Sequence, residues 1–130
     1  MAHEFPLEQL YRDALYEVDL PGGTVVFRIG EAAPAGLPVP LALVTAFNPG
    51  TSRPCEEVNQ AANRRLEAEV TRRGWPSFPA RGRDEAATHI EPSFAISGIS
   101  REDALALGKM FGQAAVVFVD GDRVRLLWCG

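Results

Sequence analysis

The chain has 130 residues, a net charge of -4, 46% hydrophobic residues and 23% charged residues. That length suits one domain able to bury its own core without a metal or disulfide staple, and the acidic balance excludes a general polyanion binder. No apolar run nears the ~18 residues of a bilayer crossing, and two cysteines with two histidines make a poor zinc set, so neither membrane, metal nor cofactor is expected.

The opening "MAHEFPLEQLY" lacks a basic n-region and an apolar h-region, which predicts no signal peptide and a cytoplasmic setting. His3 reads as a terminal residue without a role. Leu7, Leu10, Tyr11 and Ala14 recur at helical spacing, predicting a first helix. Tyr16, Val18 and Leu20 then alternate with polar residues, Pro21-Gly22-Gly23 supplies a turn, and Val25, Phe27 and Ile29 alternate again, which is a β-hairpin. "EAAPAGLPVP" carries three prolines and no period, so it reads as a loop. "LALVTAF" is almost continuously apolar, as a strand buried on both faces and central in its sheet would be.

A second helix is predicted from about Cys55 to Arg73, stopping at Gly74. On its wheel Cys55, Val58, Ala62, Leu66 and Val70 form one apolar stripe, with Asn59 inside it and Asn63 at its edge. "SFPARG", broken by Pro79, reads as an edge strand or extended segment, and "HIEPSFAISGI" as a strand whose Pro92 hints at an edge or bulge, with a turn or small loop over Asp84–Ala87 between them. Ser100 is a good N-cap for a last helix, where Gly108 would allow close approach to the sheet and Gly112 ends the helix. "AAVVFV", Asp120-Gly121 and "DRVRLLW" predict a hairpin with a type I′ turn. The expected fold is α+β: one domain over residues 1–130, a single mostly antiparallel sheet with about three helices packed against it.

Three stretches, "LVTAFNPGTS", "NQAANRRLEAEV" and "EPSFAISGISREDALALGKMFGQAAVVFVDG", contain a T-A-x-N-P turn, an N-x-x-x-N helix, an E-x-S-F strand and a helix ending in F-G-Q. In this combination the chain, roughly from Leu15 onward, resembles a bacterial family known as domain-of-unknown-function family 3293. The resemblance implies no activity, substrate or cofactor. It singles out Asn48, Asn59, Asn63, Glu91, Ser93 and Gln113 as the polar residues to follow, and leaves Cys55 and His89 outside the pattern.

A loop that follows a buried strand and opens a helix is a favoured ligand position, because the first helical N–H groups lack partners and the dipole is positive there. Gly50, Thr51, Ser52 and Arg53 could meet an anion at this turn, although neither phosphate-loop pattern is present. A buried Asn59 must find hydrogen bonds, since leaving an amide unpaired costs about 1–3 kcal/mol. Either Asn59 and Asn63 brace the Asn48–Pro54 loop, or they converge with Asn48 on a polar ligand such as a nucleobase, amide or sugar. Gln113 is open to the same two readings, brace or ligand contact. A ligand-facing Asn63 predicts that Asn63→Ala leaves folding intact.

Three further readings compete. Cys55 at a helix N-terminus with His89 and Glu91 could form a thiol-hydrolase set, or Cys55 could be a small buried residue in the apolar stripe. Six arginines from Arg64 to Arg83, interleaved with Trp75 and Phe78, could contact nucleic acid, or form a solvated face. The C-terminal strand could pair with a second copy if it is an edge. The best-supported expectation is recognition of a small polar or anionic ligand at the strand-to-helix turn 48–63, lined by Asn48, Gly50, Ser52, Asn59, Asn63, Glu91, Ser93 and Gln113. The alternative is an Arg-mediated nucleic-acid or protein contact.

Overall fold

The computed structural model describes residues 5–50 and 52–130; His3 and Thr51 lie outside the described residues. The elements run α1 (Phe5–Asp13), β1 (Leu15–Leu20), β2 (Gly23–Phe27), β3 (Leu41–Val44), α2 (Glu56–Arg72), β4 (Ser77–Arg83), β5 (Ile90–Ser97), α3 (Arg101–Met110), β6 (Ala115–Val119) and β7 (Val124–Trp128). The seven strands form one sheet in the order β2-β1-β4-β5-β3-β6-β7, and every neighbouring pair is antiparallel. Among the described residues the fold is therefore α+β, with no helix long and apolar enough to cross a membrane.

Alternation divides the sheet into two faces. The odd positions of β3, β5 and β6 join residues of the other strands in one core containing Val18, Phe27, Leu43, Ala95, Val117 and Val124. Because all seven strands contribute to that cluster, the sheet must curl around it. The even positions, among them Val44, Ile96, Val116 and Phe118, pack against Leu66 and Val70 of α2 and Ala104 and Leu107 of α3. β3 serves both cores, so all four of its residues are buried. The two ends of the curl meet: Gly30 N–H donates to the Val124 carbonyl at 2.8 Å and Val124 N–H donates to the Glu31 carbonyl at 2.9 Å. The start of β7 is thereby covered, whereas the sequence left it as a candidate edge.

Four expectations change. β4 and β5 are interior strands despite Pro79 and Pro92. β1 pairs with β4 only as far as Ala80, and β3 pairs with β5 only from Phe94 onward. Each proline thus lies where its strand has a single partner, which is how an interior strand accommodates a missing N–H. The Asp120-Gly121 connection is not a two-residue I′ turn, since Gly121 is absent from the positive-φ glycines. Instead Asp120 Oδ1 accepts the N–H groups of Asp122 (2.8 Å) and Arg123 (2.9 Å), an Asx-type turn.

The buried face of α2 differs as well. Asn59, Asn63, Leu66 and Val70 are buried, while Cys55 and Val58 are exposed. In its N-terminal half Asn59 and Asn63 meet polar groups of the β3–α2 loop and the Pro92 carbonyl of β5, so these amides turn inward while Cys55 and Val58 face outward. By contrast Gly108 behaves as expected. A Cβ there would stand 2.6 Å from Val116 Cγ1 and 2.8 Å from Cys129 Sγ, so α3 lies against the sheet at a distance only glycine permits.

Candidate functional site

The T-A-x-N-P stretch leaves β3 and turns through Asn48, which takes a left-handed conformation (φ 48°), tolerated best by Asn among non-glycine residues. Two amides of α2 hold this turn from behind. Asn63 Oδ1 accepts from Ala46 N–H at 2.7 Å, and Asn63 Nδ2 donates to the Pro92 carbonyl at 3.0 Å. Asn59 Oδ1 accepts from Asn48 N–H, and Asn59 Nδ2 donates to Asn48 Oδ1, both at 2.9 Å. The Pro92 carbonyl, beyond the reach of the β3 ladder, also accepts from Thr45 Oγ1 at 2.7 Å. Asn59 and Asn63 thus satisfy backbone groups that the proline-interrupted strands leave free, as buried polar groups require.

The turn after α3 locks onto the same corner. Gly50 N–H donates to the Gly112 carbonyl at 2.9 Å, and Gln113 Nε2 donates to the Phe47 carbonyl at 3.1 Å. Gly112 has φ 74° and lies so close to Pro49 that a Cβ would meet the Pro49 Cβ at 2.8 Å. The N-P-G and F-G-Q motifs are therefore two halves of one interlocked junction.

On the other side of this junction, where α1 meets the end of the curled sheet, lies a cleft of about 960 Å³. That volume falls within the range of small-molecule sites. Asn48, Gly50, Glu91, Ser93 and Gln113 line it; Ser52, Asn59 and Asn63 do not. Glu91 and Ser93 come from the inner face of β5, one pleat apart. Ser93 is 9% exposed, and its Oγ has no hydrogen-bond partner. Among the described residues Arg28 Nε is the other buried side-chain atom without one, and Arg28 also lines the cleft.

Glu91 is half-buried. Asn48 Nδ2 donates to its Oε2 at 3.1 Å. Burial raises its pKa above the ordinary carboxylate value, opposed by the Asn48 hydrogen bond and by the charge of Arg53. Across the cleft, the Tyr11 hydroxyl is pushed up to about 12, chiefly by burial and then by the negative charge of Glu91. Tyr16 is raised further, again mainly by burial; its hydroxyl donates to the Tyr11 carbonyl at 3.0 Å. The sequence reading missed Tyr11, Tyr16 and Thr45, which also line the cleft. Thr45 had a usable signal, since it continues the inward register of Leu41 and Leu43. The tyrosines had none, because only the position of α1 at the sheet's end brings them there.

The remaining candidates are dispersed. Cys55 is the exposed N-cap of α2, makes no side-chain cap bond and does not line the cleft, while His89, exposed in the β4–β5 connection, borders the cleft with Glu91. Of the six arginines from Arg64 to Arg83, four are in ion pairs: Arg72 and Arg73 with Glu69, Arg81 with Glu17 and Asp19, and Arg83 with Glu17. Arg81 stands directly opposite Glu17 in the β1–β4 register, a cross-strand pair of opposite charge. The Glu17 carboxyl is held below its ordinary pKa by hydrogen bonds from Arg83 and Arg81. Arg64 and Arg65 are exposed. Phe78 packs inside the curl, and Trp75 packs against the helical core under Arg73, whose guanidinium lies 5.4 Å from the ring centre. Among the described residues no group of three His, Cys, Asp or Glu is placed to hold a metal ion.

A family model described as protein of unknown function (DUF3293) matches residues 44–116. The chain belongs to this DUF3293 family. The matched stretch runs from the last residue of β3 into β6, so it contains the interlocked junction together with Glu91, Ser93 and Gln113. Tyr11 and Tyr16, which complete the cleft in this DUF3293 chain, stand outside it. No curated protein and no solved structure matches the chain.

Proposed function

We propose that this protein binds a small polar molecule in the cleft at the open end of its curled sheet, with Glu91 and Ser93 as the principal contacts. One observation carries the reading. Ser93 lines a cleft of ligand size, and among the described residues its buried Oγ has no hydrogen-bond partner; a buried hydroxyl left unpaired costs about 1–3 kcal/mol. A ligand that hydrogen-bonds to it recovers that cost. Glu91, one pleat away, adds a carboxylate that its surroundings have partly stripped of water.

The ligand side of the strand-to-helix turn is its inner surface, through Asn48 and Gly50, and not the helix N-terminus. Glu56 and Glu57 already occupy the first turn of α2, where their charges complement the dipole. Asn59 and Asn63 support the site from behind by holding Asn48 and the Pro92 carbonyl. The free thiols of Cys55 and Cys129 fit the bacterial cytoplasmic setting that the sequence suggests.

The test is a thermal-shift screen of neutral amides, sugars, amines and small acids against the wild type and Ser93→Ala. A compound that raises the wild-type melting temperature and loses that effect in the variant supports the reading. If no class shifts the wild type, or if Ser93→Ala responds identically, the reading fails.

A further inference from the structure

We infer that the ligand carries a protonated amine, seated against Glu91 and Ser93 on the inner face of β5. This rests on the cleft reading above and names the class of ligand.

The acceptors on this wall decide it. Asn48 donates to one oxygen of Glu91, Oε2, and among the described residues no cation pairs with this carboxylate within 4.0 Å. Most other carboxylates at the cleft are already engaged: Glu85 with Arg28, and Asp84 with Thr88 and with the His89 N–H. Glu91 is therefore a half-buried anion of the cleft without an ion-pair partner among the described residues. A half-buried charge without a partner is unfavourable, and a cation that binds there restores the balance.

Ser93 supplies the second acceptor. Positions 91 and 93 of a strand project to the same side, about 7 Å apart along the backbone. A Glu side chain reaching back along that face can share one ammonium group with the Ser93 hydroxyl. An ammonium has three donors and no acceptor, which fits a carboxylate oxygen plus a hydroxyl. Tyr11 and Tyr16 also line the cleft, with the Tyr16 ring stacked on Phe27 and the Tyr11 ring edge-on to Trp128.

A carboxylate or phosphate is poorly suited to the same spot, since it would meet the Glu91 charge in a low-dielectric corner. Arg53 lines the rim and acts on Glu91 from a distance, and its guanidinium donates to its own neighbour, the Ser52 carbonyl.

The experiment is calorimetric titration of the full chain with butylamine, butyramide and butyrate, which share a four-carbon chain and differ in charge. Wild type is expected to bind butylamine at least about ten-fold more tightly than either of the others. Glu91→Gln, which keeps the size and the Asn48 hydrogen bond, is expected to lose that preference while retaining the wild-type circular dichroism spectrum and cooperative melting. Ser93→Ala is expected to weaken butylamine binding without removing the preference for charge. If butyramide or butyrate binds as tightly as butylamine, or if Glu91→Gln keeps the amine preference, the inference is overturned while the cleft remains a ligand site. If none of the three binds, and the broader screen is also silent, both readings fall together.

Discussion

Asn48 and Asn59 hold each other by two hydrogen bonds of 2.9 Å, one from the Asn48 backbone N–H and one to the Asn48 side-chain oxygen. The second amide group of Asn48 is thereby aimed at Glu91. A residue inside a helix thus sets the orientation of a side chain on the cleft wall, through a turn that neither element contains. The chain of contacts from Asn59 to Asn48 to Glu91 is the physical link between the packing of α2 and the chemistry of the cleft.

Asn63→Ala tests the bracing half of that arrangement. It removes the acceptor of the Ala46 N–H and a donor to the Pro92 carbonyl. Leaving the buried N–H unpaired is expected to cost about 1–3 kcal/mol, read as a lower urea midpoint at constant slope. An Asn63→Ala protein as stable as the wild type would show that water or a rearranged loop replaces the amide.

Asn48 separates backbone from side-chain effects. Asn48→Gly and Asn48→Ala both delete the amide that touches Asn59 and Glu91, but only glycine accepts φ 48° freely. Asn48→Ala is therefore expected to be less stable than Asn48→Gly by about 1 kcal/mol. Equal denaturation midpoints would mean that the left-handed turn relaxes once the amide is gone.

Gly108→Ala is expected to destabilise by about 1–3 kcal/mol, because overpacking forces neighbours out of their rotamers. The clash falls on Val116 Cγ1 and Cys129 Sγ. Adding Val116→Ala to Gly108→Ala should then cost less than Val116→Ala alone costs in the wild type, a coupling readable in a double-mutant cycle. Simple additivity of the two changes would place the strain elsewhere.

The raised pKa of Glu91 gives a pH signature of known sign. Its folded-state pKa lies above the unfolded value, so its contribution is fully present below the unfolded pKa and is lost as pH rises through the folded one. Tyr11 from α1, Tyr16 from β1, Arg53 from the loop before α2 and His89 from the β4–β5 connection also border the cleft. Glu91→Gln removes only the carboxyl titration. The variant is expected to melt close to the wild type in acid and above it at neutral pH. Melting curves across pH that run parallel would remove Glu91 as a titrating group. Glu17, Asp19 and Asp120 have lowered pKa values, so both proteins should weaken together as the pH falls through the carboxylate range.

The sequence by itself determined the order of helices and strands, the buried centre at Leu41–Val44, the Ser100 cap and the close approach at Gly108. Each is a local matter of period, turn chemistry or side-chain volume, and local rules are legible along the chain. It also marked Asn48, Asn59, Asn63, Glu91, Ser93 and Gln113 as residues that belong together. Only the tertiary structure divided them into two sets, because the division depends on which face of the curled sheet each one meets. Asn59 and Asn63 arrive from the helical side, where Ala46, Asn48 and Pro92 present backbone groups that need partners. Glu91 and Ser93 point the other way, into the curl. The register of Pro79 and Pro92 was equally invisible, since a proline reads as an edge signal until its neighbours are known to stop short of it. Tyr11 and Tyr16 joined the cleft only because α1 sits at the end of the sheet, a placement set by long-range packing and not by anything in their own segment.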